Sequence, residues 1–308
     1  MVGVTAPRPR TYKRTAQGAA RWARLGTRGL LYVVLIVTSL LMVVPFLWML
    51  STSVKPDYQI FEYPPSWLPR QWNWGNYARA WQLAHFSRYT LNTAIYAGFS
   101  TLGQLILCSM AGYAFARLPF PGSNVLFVLV LATMMIPFQM LLIPLFVILR
   151  YWPLAGGNNI FGVGGTGLID TLVGLTLPNT ISAFGIFLIR QFSLTLPSEL
   201  ADAARIDGCS EATIFRRIMM PLMKPALTTL CIFAFQGAWN DFTWPLVITM
   251  SEKTRTLQLG LQTFQNQEFT EWGLLMAGTT ITILPLVLIF LVGQRYFVQG
   301  IALTGTKG

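Results

Sequence analysis

Residues 197–225 read PSELADAARIDGCSEATIFRRIMMPLMKP, the longest polar, amphipathic interruption between strongly apolar segments in the second half of the chain. The stretch holds four acids (Glu199, Asp202, Asp207, Glu211) and four bases (Arg205, Arg216, Arg217, Lys224), while the sequence around it is almost uncharged hydrocarbon. Local physics predicts two short helices. Pro197 stops the incoming apolar helix because it lacks an amide proton, and Ser198 is placed to cap the next one. Glu199 and Asp202 fall in the first turn, where the helix dipole favours negative charge. Gly208 falls where that helix ends, since glycine adopts the left-handed conformation without a side-chain clash. Ser210 and Glu211 restart a helix with Arg216 and Arg217 in its last turn, and Pro221 and Pro225 bracket the next apolar run. Ala203, Ala204 and Gly208 leave little bulk on this elbow. Pattern alone allows two readings, a docking surface for another protein or an amphipathic segment lying on lipid.

Composition says what surrounds the elbow. Of 308 residues, 54% are hydrophobic and only 11% charged, against roughly 25% charged in a soluble domain. With long uncharged runs, this describes an all-α membrane protein with no sizeable soluble domain. Six apolar segments are expected near 29–50, 90–115, 124–149, 168–190, 226–249 and 274–298, each long enough to cross a core of about 30 Å. Residues 1–28 hold seven bases and no acid. Beside a membrane segment, such a tail reads as a topology signal and a partner for anionic lipid rather than for nucleic acid. The first apolar run is too long for a cleavable signal, so it is expected to be retained. With the N-terminus inside, only seven of the 22 Lys and Arg lie in outer segments, which places both termini in the cytoplasm.

Other stretches carry weaker signals. Trp67, Trp72, Trp74 and Trp81 crowd the first outer loop, as rings at a lipid interface do. Gly98, Gly103, Ser109, Ala111 and Gly112 give the second segment a small face for close helix packing. Pro137 and Pro144 should kink the third segment, and Pro285 should break the sixth. Met135 and Gln139 near the first kink become candidates for a translocation pathway, with Trp239, Asn240 and Asp241 in the fifth segment. The glycine-rich run 156–167 lacks the Gly-Lys-Ser/Thr ending of a phosphate loop and reads as a flexible external loop. Cys108, Cys209 and Cys231 form no framework, and a lone His85 leaves no metal-ligand spacing. An integral-membrane enzyme would need clustered His, Asp or Glu, and a secondary transporter or channel would need charges within its helices. Both are poorly supplied here.

Asp202-Ala203-Ala204, then Asp207-Gly208, then Phe215, Ile218 and Pro221 resemble in order and spacing the EAA loop of permease subunits in binding-protein-dependent ABC importers. The family's usual glutamate is Asp202 here, which keeps the charge and loses one methylene. The run Trp239-Asn-Asp-Phe-x-Trp-Pro-Leu246 resembles a stretch of sugar-type permeases, and Gly300–Gly308 resembles the ending of maltose-type subunits. The resemblance covers the chain from about residue 30 onward. It implies a type I ABC importer permease fold, six transmembrane helices with cytoplasmic coupling helices in loop 197–221. It also implies a second homologous permease, two copies of a cytoplasmic ATPase, an external solute-binding protein and a bacterial plasma membrane setting. ATP and Mg would be bound by the ATPase, with no cofactor in this chain. By the same resemblance Asp202 meets a base on the ATPase, Ala203, Ala204 and Gly208 give close fit, and Phe215 and Ile218 are apolar anchors. The substrate class implied is a sugar or oligosaccharide. An ATP-independent carrier or channel is the alternative.

Overall fold

The computed structural model describes residues 12–265 and 269–305, with side chains placed for 28–265 and 269–294. In chain order, α1 (Tyr12–Ser53) is one continuous helix, and short helices α2 (Asp57–Ile60) and α3 (Gly75–Leu83) lead to α4 (Phe86–Arg117). Next come α5 (Ser123–Thr133) and α6 (Phe138–Arg150), then α7 (Leu172–Thr176), a 3-10 turn (Leu177–Asn179) and α8 (Ala183–Thr195). The polar stretch forms α9 (Glu199–Ile206), α10 (Glu211–Ile214), a π-helical turn (Phe215–Met219) and α11 (Met220–Leu222). The chain ends with α12 (Lys224–Trp239), α13 (Thr243–Ile248), α14 (Leu257–Leu261) and α15 (Trp272–Gly305). One isolated antiparallel bridge, Gln265 to Thr270, is the only β pairing among the described residues.

Among the described residues, three helices are long and apolar enough to cross a membrane: α1 from Arg28, α4, and α15 to Gln294. Three bent pairs raise the number to six if each is one span: α5–α6 at 102°, α7–α8 at 41°, and α10–α11 with α12 at 79°. Helices occupy all six expected segments, and the third, fourth and fifth are each interrupted. The third breaks at Met134–Pro137, because Pro137 has no amide proton and drives the preceding residue out of the helical region. Pro144 and Pro285, expected to bend and to break their segments, stay inside α6 and α15, each removing one hydrogen bond from a helix that otherwise continues. The fifth segment, expected to run 226–249, ends at Trp239 and restarts at Thr243. At the N-terminus α1 extends back to Tyr12, ahead of the boundary expected at residue 29. Residues 1–11 of the basic tail and 306–308 of the glycine-rich ending lie outside the described residues.

α4 is the axis of packing. Its buried residues, Tyr89, Thr93, Tyr96, Ser100, Cys108 and Gly112 among them, recur at helical spacing on one face, against α8 and α12. Lipid supplies no hydrophobic drive between helices, so close backbone approach must hold them. A Cβ at Gly103 would stand 2.7 Å from Thr180 Cβ, and one at Gly112 would stand 2.8 Å from Ile189 Cβ. Gly98, expected on the same small face, meets nothing. Two apolar clusters result. One lies under the polar elbow (Tyr113, Ile189, Ile214, Met219, Met223), and the other at the opposite end (Phe86, Trp239, Trp244, Phe264).

That opposite end carries two built loops. Lys55 is almost fully buried, donating to the Ser66 carbonyl with its ammonium 4.5 Å from the Trp48 ring centre. The glycine-rich run, expected to be flexible, is folded on Asn158. Its Oδ1 accepts from Gly165 N (2.8 Å) and its Nδ2 donates to the Arg150 and Trp152 carbonyls. Gly162 and Gly167 have positive φ, and a Cβ on either would collide with backbone carbonyls, so the glycines here fold a compact loop.

Candidate functional site

The elbow is built as its sequence suggests, with one exception at its start. Glu199 opens α9, but Ser198 makes no side-chain cap bond. Gly208 sits at φ +78°, donating to Arg205 O (3.0 Å) while Cys209 N reaches Ala204 O (2.9 Å). This pair of bonds is the Schellman ending that a left-handed glycine permits. Ser210 caps α10 through the Thr213 amide. Across the corner Arg205 clamps both helices, with Nη1 2.6 Å from Asp202 Oδ1 and Nε 2.6 Å from Glu211 Oε1. These bonds from Arg205 outweigh partial desolvation and hold the Glu211 carboxyl below its ordinary range. The second Glu211 oxygen accepts from Tyr113 OH (3.1 Å), and Phe215 packs on the Tyr113 ring at 5.2 Å. The elbow is thereby joined to α4. Arg117, at the end of α4, donates to the Ser193 and Leu196 carbonyls and fixes the end of α8 to the same frame.

The outward face differs from the expected one in detail. Asp202, Ala203, Asp207, Gly208 and Pro221 are exposed, and Phe215 and Ile218 are half-buried. Ala204 is buried with Ala201 against the apolar cluster, so its small side chain serves packing within this chain instead of an outward fit. Asp202 already holds a base of its own chain, Arg205. Ile206 was not singled out in the sequence, yet it is 88% exposed immediately before the corner, with Leu200 exposed on the same helix. The signal was present. Ala201 and Ala204 mark the buried stripe at i, i+3, and Ile206 is an apolar residue off that stripe. Arg205, Glu211 and Tyr113 were missed as a unit because Tyr113 comes from 98 residues upstream.

The pathway candidates separate into exposed and packed residues. Met135 stands 84% exposed in the α5–α6 break, and Gln139 is exposed just after it. Trp239 is buried, donating from Nε1 to Thr282 O (3.0 Å), so it packs within this chain. Asn240 is exposed in the α12–α13 break and accepts from Gln258 Nε2 at 3.2 Å. Asp241 is half-buried. Its Oδ2 accepts from Tyr96 OH (2.6 Å), its Oδ1 from the Trp244 amide (3.2 Å), and Asn179 Nδ2 donates in turn to Tyr96 OH (2.8 Å). The Phe138 ring meets Trp244 edge-on at 6.4 Å. Three helix breaks, after Thr133, Asn179 and Trp239, therefore converge on Tyr96, Asp241 and Trp244. Freed backbone groups within a membrane are tolerated where they meet protein or a polar path. No group of three or more metal-ligating side chains exists among the described residues.

Known proteins share both the sequence and the fold. Residues 104–303 match the family described as binding-protein-dependent transport system inner membrane component. The arabinooligosaccharides transport system permease protein AraQ of Bacillus subtilis is 34% identical over 88% of this chain and 92% of its own length. The diacetylchitobiose uptake system permease protein NgcG of Streptomyces coelicolor is 31% identical over 86% and 84%. The sn-glycerol-3-phosphate transport system permease protein UgpE of Yersinia enterocolitica is 31% identical over 88% and 94%. A chain of a bacterial ABC transporter involved in alginate import superposes with a TM-score of 0.73 at 23% identity, covering 95% of this chain and 100% of that one. These matches set aside the carrier and channel readings. The chain belongs to the binding-protein-dependent transport system inner membrane component family, as a multi-pass permease subunit of an ABC importer.

Proposed function

We propose that this chain imports a sugar or oligosaccharide, paired with a second homologous permease above two copies of a cytoplasmic ATPase, with a solute-binding protein outside. ATP and Mg belong to the ATPase, and this chain contributes no hydrolytic group. Both termini and the elbow lie in the cytoplasm, as the distribution of bases favours. The observation that carries the reading is the elbow. It is an exposed corner rigidified by Arg205 and anchored through Glu211 and Tyr113 to α4, the helix whose other half reaches Asp241 and the convergent breaks. Closure of the ATPase dimer would push Ile206, Gly208 and the acids of the corner. α4 would then carry that displacement to the breaks, switching access from one side to the other. Relatives named for arabinooligosaccharides and diacetylchitobiose support a carbohydrate cargo.

The test is co-purification of this chain with its second permease, ATPase and binding protein, then ATP hydrolysis in lipid against a panel of sugars. One sugar should raise hydrolysis, and Gly208→Asp should leave the chain in the membrane while abolishing the rise and releasing the ATPase. Normal ATPase recovery and transport in Gly208→Asp would rule out docking at this corner.

A further inference from the structure

At the end of the bundle opposite the elbow, α14 and the 3-10 turn Gln262–Phe264 lie against the start of α15 and leave a cleft of about 610 Å³. That size falls among small-molecule sites, which run from roughly 300 to 1,000 Å³. Met49 and the Phe242 ring supply apolar wall, while Gln258, Gln262, Gln265 and Thr279 supply the polar groups. Gln258 donates to Asn240 and Phe242 lines the wall, so the cleft reaches the α12–α13 break that carries Asp241. Thr279 spends its proton on the Leu275 carbonyl and keeps lone pairs free to accept.

We infer, resting on the importer reading above, that this cleft holds a neutral oligosaccharide and excludes anionic cargo. The Gln262 and Gln265 amides each offer two donors and an acceptor, and Gln258 keeps one donor and its acceptor, a set that matches adjacent sugar hydroxyls, while a ring face packs on Phe242 and Met49. The charge pattern decides between cargo classes. Among the described residues no Lys or Arg lines the cleft, and none of the pathway candidates Met135, Gln139, Asn240 and Asp241 is a base. An anion leaving water needs a paired cation, and the acidic group at the break, Asp241, repels it. Cargo such as the sn-glycerol 3-phosphate or alginate named for two similar proteins therefore lacks a counter-charge here, whereas neutral arabino-oligosaccharides need none.

The test is alkylation of Gln262→Cys in the assembled transporter in lipid, with the unsubstituted complex subtracting the signal of the three native cysteines. Arabinotriose, diacetylchitobiose and sn-glycerol 3-phosphate are the probes, added without binding protein. At least one neutral sugar should slow labelling about fivefold or more, with no effect of the phosphate. Adding Gln258→Ala should remove most of that protection, in keeping with a lost hydrogen bond of roughly tenfold in affinity. Protection by neither sugar, equal protection by the phosphate, or full protection retained in Gln258→Ala would each overturn the inference. The readout needs no ATP. Protection without ATP-driven uptake would sink the importer reading and leave the cleft standing, and uptake without protection would do the reverse.

Discussion

Gly208→Ala separates what the corner needs from its backbone and what it needs from its surface. Gly208 lies at φ +78°, and a Cβ there would meet no atom of this chain within 4 Å. The cost is then conformational alone, about 1–2 kcal/mol for holding an L-residue with a side chain in the left-handed region. Because 1.4 kcal/mol is tenfold in an equilibrium, the docked shape of the corner becomes about 5- to 30-fold rarer. ATPase affinity should fall by that factor if docking selects the shape. Asparagine enters the left-handed region far more readily, so Gly208→Asn should lose only a small part of this affinity. The assay is equilibrium binding of the purified ATPase subunit to the two permeases in lipid nanodiscs, at fixed ionic strength. Wild-type affinity in the alanine variant would refute the claim that the left-handed corner is required. Equal losses in the alanine and asparagine variants would refute the conformational account differently, since both add bulk and only one adds strain.

Two further outcomes test the frame around the corner. Gly112→Ala places a methyl 2.8 Å from Ile189 Cβ and 3.0 Å from the Arg190 amide, so it should destabilise the α4–α8 crossing by about 1–3 kcal/mol. Thermal unfolding in detergent reads the loss, and Ile189→Ala in the same background should recover part of it as a non-additive term. Asp170 joins the start of the α7 span to the loop after α13. Burial pushes its pKa up, but hydrogen bonds from Thr254, Ser251 and Met250 prevail and hold it at about 2 against 3.8. A depressed carboxyl pKa stabilises the fold above the unfolded value, and that contribution disappears as pH falls from about 4 through 2. Protease nicking within 249–256 should therefore rise in that window for the wild type. Asp170→Ala should show the raised nicking at pH 7 with little further change on acidification.

Legibility followed the range of the forces. The elbow could be read because its determinants are local: acids in a first turn, a glycine at a helix end and Ser210 as a cap each act within a few residues. Six apolar segments follow from the length a bilayer demands, and the importer family follows from the fixed spacing of the loop. Pro137 marked one break correctly. Pro285 did not, because whether a proline breaks a helix depends on neighbours that hold the rest of its hydrogen bonds. Tertiary structure alone decided the rest. It turned Ala204 inward and Ile206 outward, since burial depends on which face meets the Met219–Met223 cluster. It buried Trp239 with its indole proton on Thr282, and it tied Glu211 to Tyr113 and Asp241 to Tyr96 across separations of 98 and 145 residues. Such pairings leave no periodic trace in a single sequence. They exist because α4 packs against partners far along the chain, closely enough at Gly103 and Gly112 to bring their polar groups within bonding distance.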